Sequence, residues 1–357
     1  MNCGPDKILI RCPNWVGDVV MATPAIRSLR KRYPQARLAV FIKSYARQLL
    51  DHSPHIDEFL TFDPDGEHSS LAAYYRFLRS LRKHCFDLSV ILPNSFRSAW
   101  EMRFIGARRR IGYLRQGRGL LLTDPVQPER EGRKLRITNM VDYYLRLVKE
   151  AGCDDLDQSE ELFVSEEGEA RIVRIFEQHN VSDSDLLVGL APGSGYGPAK
   201  LYPPEKYAEV LDALIEKYGC KALITTSPEE HEIGETVCSQ MRNESVHLSD
   251  LGLDALKSLV KRLSLLITND TGPRHIAVAF DRPVVVVFGP TSTLYTDVNL
   301  GKTEIVREEV ECSPCQLKVC PIDHRCMTRL GSNRVFDAAE NLLSRFVLNN
   351  PGYNILG

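Results

Sequence analysis

Leu265-Leu266-Ile267-Thr268-Asn269-Asp270-Thr271-Gly272-Pro273-Arg274-His275-Ile276-Ala277-Val278-Ala279-Phe280, followed by Pro283-Val284-Val285-Val286-Val287-Phe288-Gly289-Pro290, is the stretch that decides the fold. A short apolar run ends in Asn-Asp-Thr-Gly, a run with helical spacing begins, and a β-branched run follows: strand, tight loop, short helix, strand. That succession sets a helix amino terminus beside the carboxyl end of a strand. Backbone N–H groups at Thr271 and Gly272 would carry partial positive charge there, and Gly272 lets the main chain approach a ligand closely. The loop is therefore a candidate cradle for a diphosphate. The competing reading is structural: Asp270 or Thr271 caps the helix, and His275 is a hydrogen-bonded core histidine.

The same alternation extends over the chain. In the first half, residues 7–12, 37–42, 58–62 and 88–92 read as strands, and 71–83, 99–104 and 139–151 as helices. In the second half, strands at 186–191 and 221–225 alternate with helices at 205–217, 230–241 and 254–263. Alternation of this kind predicts parallel sheets covered on both faces, with ligands gathered at the strand carboxyl ends. At 357 residues the chain is long for one core, so two domains are expected. The boundaries read as a first domain 1–165, a linker 166–185 carrying one helix, a second domain 186–334, and a final helix and tail 335–357 packing back on the first domain.

Composition narrows the function. Lys and Arg total 45 against 47 Asp and Glu, a net charge of -2, which argues against a dedicated nucleic-acid binder and leaves any anionic partner to a local patch. No run approaches the ~20 apolar residues of a membrane span, and Met1 to Asp6 carries no signal-peptide pattern, so a cytoplasmic location is expected. Six of the ten cysteines are scattered and read as small buried hydrophobes. The other four form Cys312-x2-Cys315-x4-Cys320-x5-Cys326 with His324 inside, a set that could hold a structural zinc or stand as a reduced, metal-free loop. Lying beyond Phe288-Gly289-Pro290, this loop is expected away from the donor loop.

Several candidates fall at strand ends. Asp18 follows the first strand in Asn14-Trp15-Val16-Gly17-Asp18, at the start of a helical run that Pro24 is placed to kink. It serves either as a helix cap or as a carboxylate facing a ligand. Asn94 follows the strand ending at Leu92. Arg103, Arg108, Arg109, Arg110, Arg115 and Arg118 are interleaved with glycines, which reads either as a solvated face or as a mobile loop offering guanidiniums to phosphates or carboxylates. In the second half, Ala191-Pro192-Gly193-Ser194-Gly195-Tyr196-Gly197-Pro198-Ala199-Lys200 suits phosphate approached by backbone and ammonium together, although it is not a P-loop. Glu230, after the next strand, is placed either to accept ribose hydroxyl hydrogen bonds or to complement a helix amino terminus.

Taken together, four stretches resemble the ADP-heptose:lipopolysaccharide heptosyltransferase family, glycosyltransferase family 9. They are Asn14-Trp15-Val16-Gly17-Asp18 with Thr23-Pro24-Ala25-Ile26, Leu92-Pro93-Asn94-Ser95-Phe96, Ala191-Pro192-Gly193-Ser194 with Lys200, and Thr268 to His275 joined to Phe288-Gly289-Pro290-Thr291. The first two look most like the second heptosyltransferase, which extends the first inner-core heptose. The resemblance implies a GT-B fold: two facing Rossmann-like, doubly wound parallel-sheet domains with a cleft between them. It implies an inverting transfer of heptose from ADP-L-glycero-D-manno-heptose to heptose I of heptosyl-Kdo2-lipid A. Asp18 then matches the catalytic base and Lys200 the basic residue near the donor diphosphate. Ser194, Glu230, Asp270, Thr271, Gly272 and His275 match the donor site, and Asn94, Arg109 and Arg110 are candidates for the acceptor. The second domain, 186–334, holds no Asp-x-Asp motif, so no catalytic metal and no cofactor are expected; ADP-heptose is a substrate. The expected partners are ADP-heptose, the lipopolysaccharide inner core and a peripheral contact with the inner membrane. The alternatives are a family member with another nucleotide-sugar or acceptor, and a non-catalytic nucleotide-sugar-binding protein.

Overall fold

The computed structural model describes residues 4–348, which divide into two compact units. The first holds residues up to Glu161 together with Leu294–Val298; the second holds Leu162–Thr293 and the chain from Asn299 onward.

In the first unit, six strands, β1 (Lys7–Arg11), β2 (Arg37–Lys43), β3 (Glu58–Phe62), β4 (Leu88–Ile91), β5 (Arg109–Tyr113) and β6 (Asp124–Val126), lie in the order β3-β2-β1-β4-β5-β6. Every neighbouring pair is parallel. In the second, β7 (Leu187–Ala191), β8 (Lys221–Thr225), β9 (Ser245–Leu248), β10 (Leu265–Asn269), β11 (Val284–Phe288) and β12 (Thr303–Arg307) repeat the arrangement as β9-β8-β7-β10-β11-β12, again all parallel. Both are Rossmann orders, and each reverses direction between its first and fourth strand, where ligands of such sheets bind. That point falls between β1 and β4 in one unit, where Arg11 pairs with Ile91, and between β7 and β10 in the other, where Ala191 pairs with Thr268. Every residue of β7, β10 and β11 is buried, as a sheet covered on both faces requires.

The helical run after β1 is two helices, α1 (Val16–Met21) and α2 (Thr23–Arg32). Pro24 stands in the first turn of α2, where its missing N–H is tolerated, so the expected kink is a break at Ala22. Further along lie α3 (Leu71–Leu81), α4 (Phe96–Ile105) and α5 (Met140–Glu150), each opened by a Ser or Asn side chain that accepts a hydrogen bond from the first turn. The glycine-interleaved basic segment differs from expectation: its centre is strand β5, whose arginine-bearing start is open to solvent and whose end, Ile111 to Tyr113, is buried.

Residues 166–178 were expected within a linker. They form α6 (Glu166–Gln178), which belongs to the second unit and packs on α9 (Gly252–Arg262). Gly168 makes that contact possible, since a Cβ there would stand 2.8 Å from Asp254 Oδ2. The longer helices that remain among the described residues are α7 (Pro204–Tyr218), α8 (His231–Gln240), α10 (Gly272–Ala279) and α11 (Ser332–Leu343). Val335, Ala339, Leu342 and Leu343 of α11 join Leu211, Leu214, Val285 and Val287 in the second core. The described part of the C-terminal segment therefore completes the second unit, where a return to the first was expected, because its apolar stripe is used up there. Residues 349–357 of that segment lie outside the described residues.

Candidate active site

In the second unit, side chains stitch together the loops that leave β7 and β10. Asn269, fully buried at the end of β10, donates from Nδ2 to the carbonyls of Pro192 (2.6 Å) and Gly193 (3.3 Å) and accepts from the Tyr207 hydroxyl at 2.8 Å. Thr268 Oγ1 donates to the Ala191 carbonyl at 3.0 Å. Buried polar groups so satisfied hold both loops to one geometry.

On this frame Lys200 Nζ donates to the backbone oxygen (2.6 Å) and to Oδ2 (2.7 Å) of Asp270. Asp270 also accepts from Arg274 Nη1 at 3.2 Å and from Thr291 Oγ1 at 2.8 Å. Burial opposes the charge on Asp270, but Lys200 and then Arg274 outweigh it and hold the carboxyl below its ordinary value. Two cations thus meet one carboxylate at the amino end of α10, and the ammonium retains a third donor for an anion.

Thr271, not Asp270, is the residue before α10, and no side chain caps the helix. The Thr271 hydroxyl lies 3.4 Å from both the Asn269 carbonyl and Thr268 Oγ1. The amino end at Gly272 is thereby left to a ligand, with its partial positive charge intact. His275, one turn on, is buried.

Ser194 Oγ is shielded from solvent and has no hydrogen-bond partner, a state that costs about 1–3 kcal/mol unless a ligand supplies one. Glu230 reaches the same loop: a Cβ at Gly193 would stand 2.2 Å from Glu230 Oε2, so the glycine lets that carboxylate lie directly on the backbone. Lys200, Ser194, Glu230, Asp270, Thr271 and Gly272 are therefore brought to one edge of the second sheet. Asn269, Arg274 and Thr291 belong with them. The sequence signal for all three was their place within the motifs already quoted; Arg274 meets Asp270 one helical turn away, whereas Asn269 and Thr291 join motifs that are distant in the chain.

The cysteine loop lies against this site, contrary to expectation. Lys318 accepts the Ala199 N–H at 3.0 Å, His324 Nε2 is 2.6 Å from the Ala199 carbonyl, and the Tyr196 hydroxyl donates to the Gln316 carbonyl at 2.7 Å. Gly197, at φ +150°, packs so tightly on Lys318 that a Cβ would meet its carbonyl at 2.6 Å. Residues 312–326 thus form the outer wall of the Lys200 loop. All four thiols there are reduced, and the Cys326 thiol is pushed up to about 11, chiefly by burial and then by the other three.

In the first unit, Asp18 sits half-buried in the first turn of α1, beyond the carboxyl end of β1. The pKa values of Tyr45 and Tyr144 are raised by burial and then by the charge of Asp18, which places both phenols in its field. Asn94 leaves the adjacent strand β4 at the same edge, and its Oδ1 accepts from the Tyr143 hydroxyl at 3.1 Å. Beneath them Glu101, wholly buried, accepts from Arg11 (2.9 Å), Arg97 (3.0 Å) and Tyr74 (2.6 Å). The fully buried Arg118 donates to the carbonyls of Tyr113, Pro93 and Ser95, and burial lowers its guanidinium to about 10, still a cation at neutral pH. Arg118 thus shapes the loop bearing Asn94 and is not an exposed anion binder.

Arg109 and Arg110 lie elsewhere. They open β5 and pair in register with Leu88 and Ser89, at the amino ends of the strands and away from Asp18 and Asn94. Arg109 is bound to Asp124 at 2.8 Å, and Arg110 donates to the carbonyls of Leu121 (2.7 Å) and Ala107 (2.6 Å). This placement does not favour a role for either in holding the acceptor, since a strand start in a parallel sheet faces the edge opposite the ligand loops.

Two Rossmann sheets, one setting Lys200 and a helix amino terminus at its crossover and the other a carboxylate at the equivalent place, have the arrangement of the GT-B class of nucleotide-sugar enzymes. A family model described as glycosyltransferase family 9 (heptosyltransferase) matches residues 74–325, and this chain belongs to that family. Lipopolysaccharide heptosyltransferase 2 of Escherichia coli (strain K12) is 31% identical over 313 residues, covering 84% of this chain and 88% of that protein. The solved E. coli ADP-heptose lps heptosyltransferase II superposes with a TM-score of 0.76 at 28% identity, over 95% of this chain and 98% of the other. A family 9 glycosyl transferase from Veillonella parvula DSM 2008 gives 0.86 at 23% identity, over 96% and 99% of the two chains, a likeness of fold.

Proposed function

We infer that the chain is a glycosyltransferase that moves heptose from ADP-heptose to the inner core of lipopolysaccharide, with heptose I of heptosyl-Kdo2-lipid A as the acceptor. The observation that carries the donor assignment is the Lys200–Asp270–Arg274 cluster at the amino end of α10, beside the unpartnered Ser194 hydroxyl. A diphosphate would give Ser194 an acceptor and meet the third donor of the Lys200 ammonium.

As the bond to the anomeric carbon breaks, negative charge builds on the departing ADP. Lys200, Arg274 and the helix terminus stabilise it more strongly than they do the intact donor. Asp18 takes the proton from the attacking acceptor hydroxyl, so one displacement inverts the anomeric centre. Glu230 accepts hydrogen bonds from the ribose hydroxyls. This chemistry assigns no step to a metal or cofactor.

No helix among the described residues is long and apolar enough to cross a membrane. The proposed setting is the cytoplasm, with peripheral contact at the inner membrane where the acceptor lies. The test offers ADP-heptose and heptosyl-Kdo2-lipid A to purified protein and follows ADP release. Stoichiometric ADP and heptosylated product are expected; ADP binding without turnover would make it a nucleotide-sugar-binding protein instead.

A further inference from the structure

Apart from the donor cradle, a further cluster of side chains among the described residues is arranged as ligands are. His231 and Glu235 stand one turn apart on α8, and His247 comes from β9; each offers one ligand atom, and all three atoms lie within 4.8 Å of one another. His247 Nδ1 is 2.6 Å from Glu235 Oε1, His231 Nε2 is 3.9 Å from the same oxygen, and the two imidazole centroids are 5.0 Å apart. The longer separation exceeds a hydrogen bond but suits two atoms sharing one ion, since ligands ~2.1 Å from a tetrahedral zinc lie about 3.4 Å from each other.

The surroundings fix the ring that is least exposed. His247 Nε2 is 2.9 Å from Thr226 Oγ1, and with that nitrogen engaged Nδ1 is directed at Glu235. Metal-bound histidines are oriented by such a partner on the other ring nitrogen. Gly234 lies directly under the ring, where a Cβ would stand 2.1 Å from His247 Nε2, so the approach of β9 to α8 depends on a glycine there. His231 and Glu235 are each more than half exposed at the side chain, which provides an entry path and room for water as a fourth ligand.

We propose that His231, Glu235 and His247 form a mononuclear site for a divalent transition ion of borderline softness, with zinc as the representative. Two imidazoles and one carboxylate with an open position are a ligand set such ions accept. An ion there would tie α8 to β9, so its effect is on the stability of that corner.

The test titrates metal-free full-length protein with Zn2+ by calorimetry, comparing the wild type with His231→Ala and Glu235→Gln. Every protein keeps the same cysteines, so the difference isolates this site. The wild type should bind one more equivalent than His231→Ala and gain thermal stability that the variant does not, while Glu235→Gln should bind at least ~10-fold more weakly. Thr226→Val, which removes only the orienting hydroxyl, should cost about 10–100-fold in affinity. With Co2+, the wild-type minus His231→Ala difference spectrum should show weak visible bands without intense sulfur charge transfer. Equal stoichiometry and equal thermal response in wild type and His231→Ala, with both folded by circular dichroism, would overturn the proposal.

Discussion

The crossover points of the two sheets share a topology and differ in what they do with charge. At the first, the carboxylate that collects cations is Glu101, sunk beneath the edge, and the guanidiniums of Arg11 and Arg118 are largely taken up by it and by backbone carbonyls. What remains nearer the edge is Asp18. At the second, the carboxylate is Asp270, its cations outnumber it, and a buried serine hydroxyl waits without a partner. One edge presents a carboxylate, and the other gathers two cations around one. The same strand order can therefore carry a proton acceptor or an anion cradle, depending on whether the ion pair lies below the loops or within them.

The sharpest way to break this contrast is Asp18→Asn. Turnover should fall by at least ~10²-fold with ADP affinity unchanged, the scale of a lost general base; steady-state kinetics and calorimetry give the two numbers, and a near wild-type rate would remove Asp18 from the chemistry. Lys200→Ala should cost at least ~10-fold in ADP affinity, since a charge-assisted hydrogen bond is worth about 1.5–3 kcal/mol. It should also destabilise the fold by about 1.5–3 kcal/mol, the scale of one charge-assisted hydrogen bond, because Asp270 keeps Arg274 and Thr291.

Acidification sharpens the second half of the comparison. Asp270 titrates below its ordinary value when folded, so its ion pairs stabilise the chain above about pH 4, and that contribution disappears as the pH falls through the lowered value. Thermal melts should show the wild type losing more stability than Asp270→Asn between neutral pH and about pH 3. Ser194→Ala should be milder still: ADP affinity down by roughly fivefold, for about 1 kcal/mol, with stability unchanged or slightly higher. Arg109→Ala should do least, leaving both KM values within about twofold, as befits an exposed ion pair worth about 0–1 kcal/mol.

The fold was legible wherever strands are wholly buried, because runs such as Val284 to Phe288 admit few other readings. It was illegible at β5, where Arg109-Arg110-Ile111-Gly112-Tyr113 has too few apolar residues for a run, and its charged start hides the buried end. Edge strands β9 and β12 escaped for a related reason: half covered, they need no continuous apolar pattern. At the site, residue identities were visible in the motifs, but pairings were not. Nothing local says that Lys200 meets Asp270 seventy positions later, or that the cysteine loop folds back on Ala199. Such contacts follow from crossover geometry, which composition does not encode.

Asn269 has a consequence for how this architecture tolerates change. One carboxamide gauges the gap between two crossovers: its Nδ2 reaches the carbonyls of Pro192 and Gly193 while its oxygen is anchored on Tyr207. With the root of the loop clamped in this way, the tip at Gly195, where a Cβ would meet nothing within 4 Å, is free to vary in side chain without displacing the frame. Recognition of different donors can then be tuned at the tip while the amide holds the root at constant spacing.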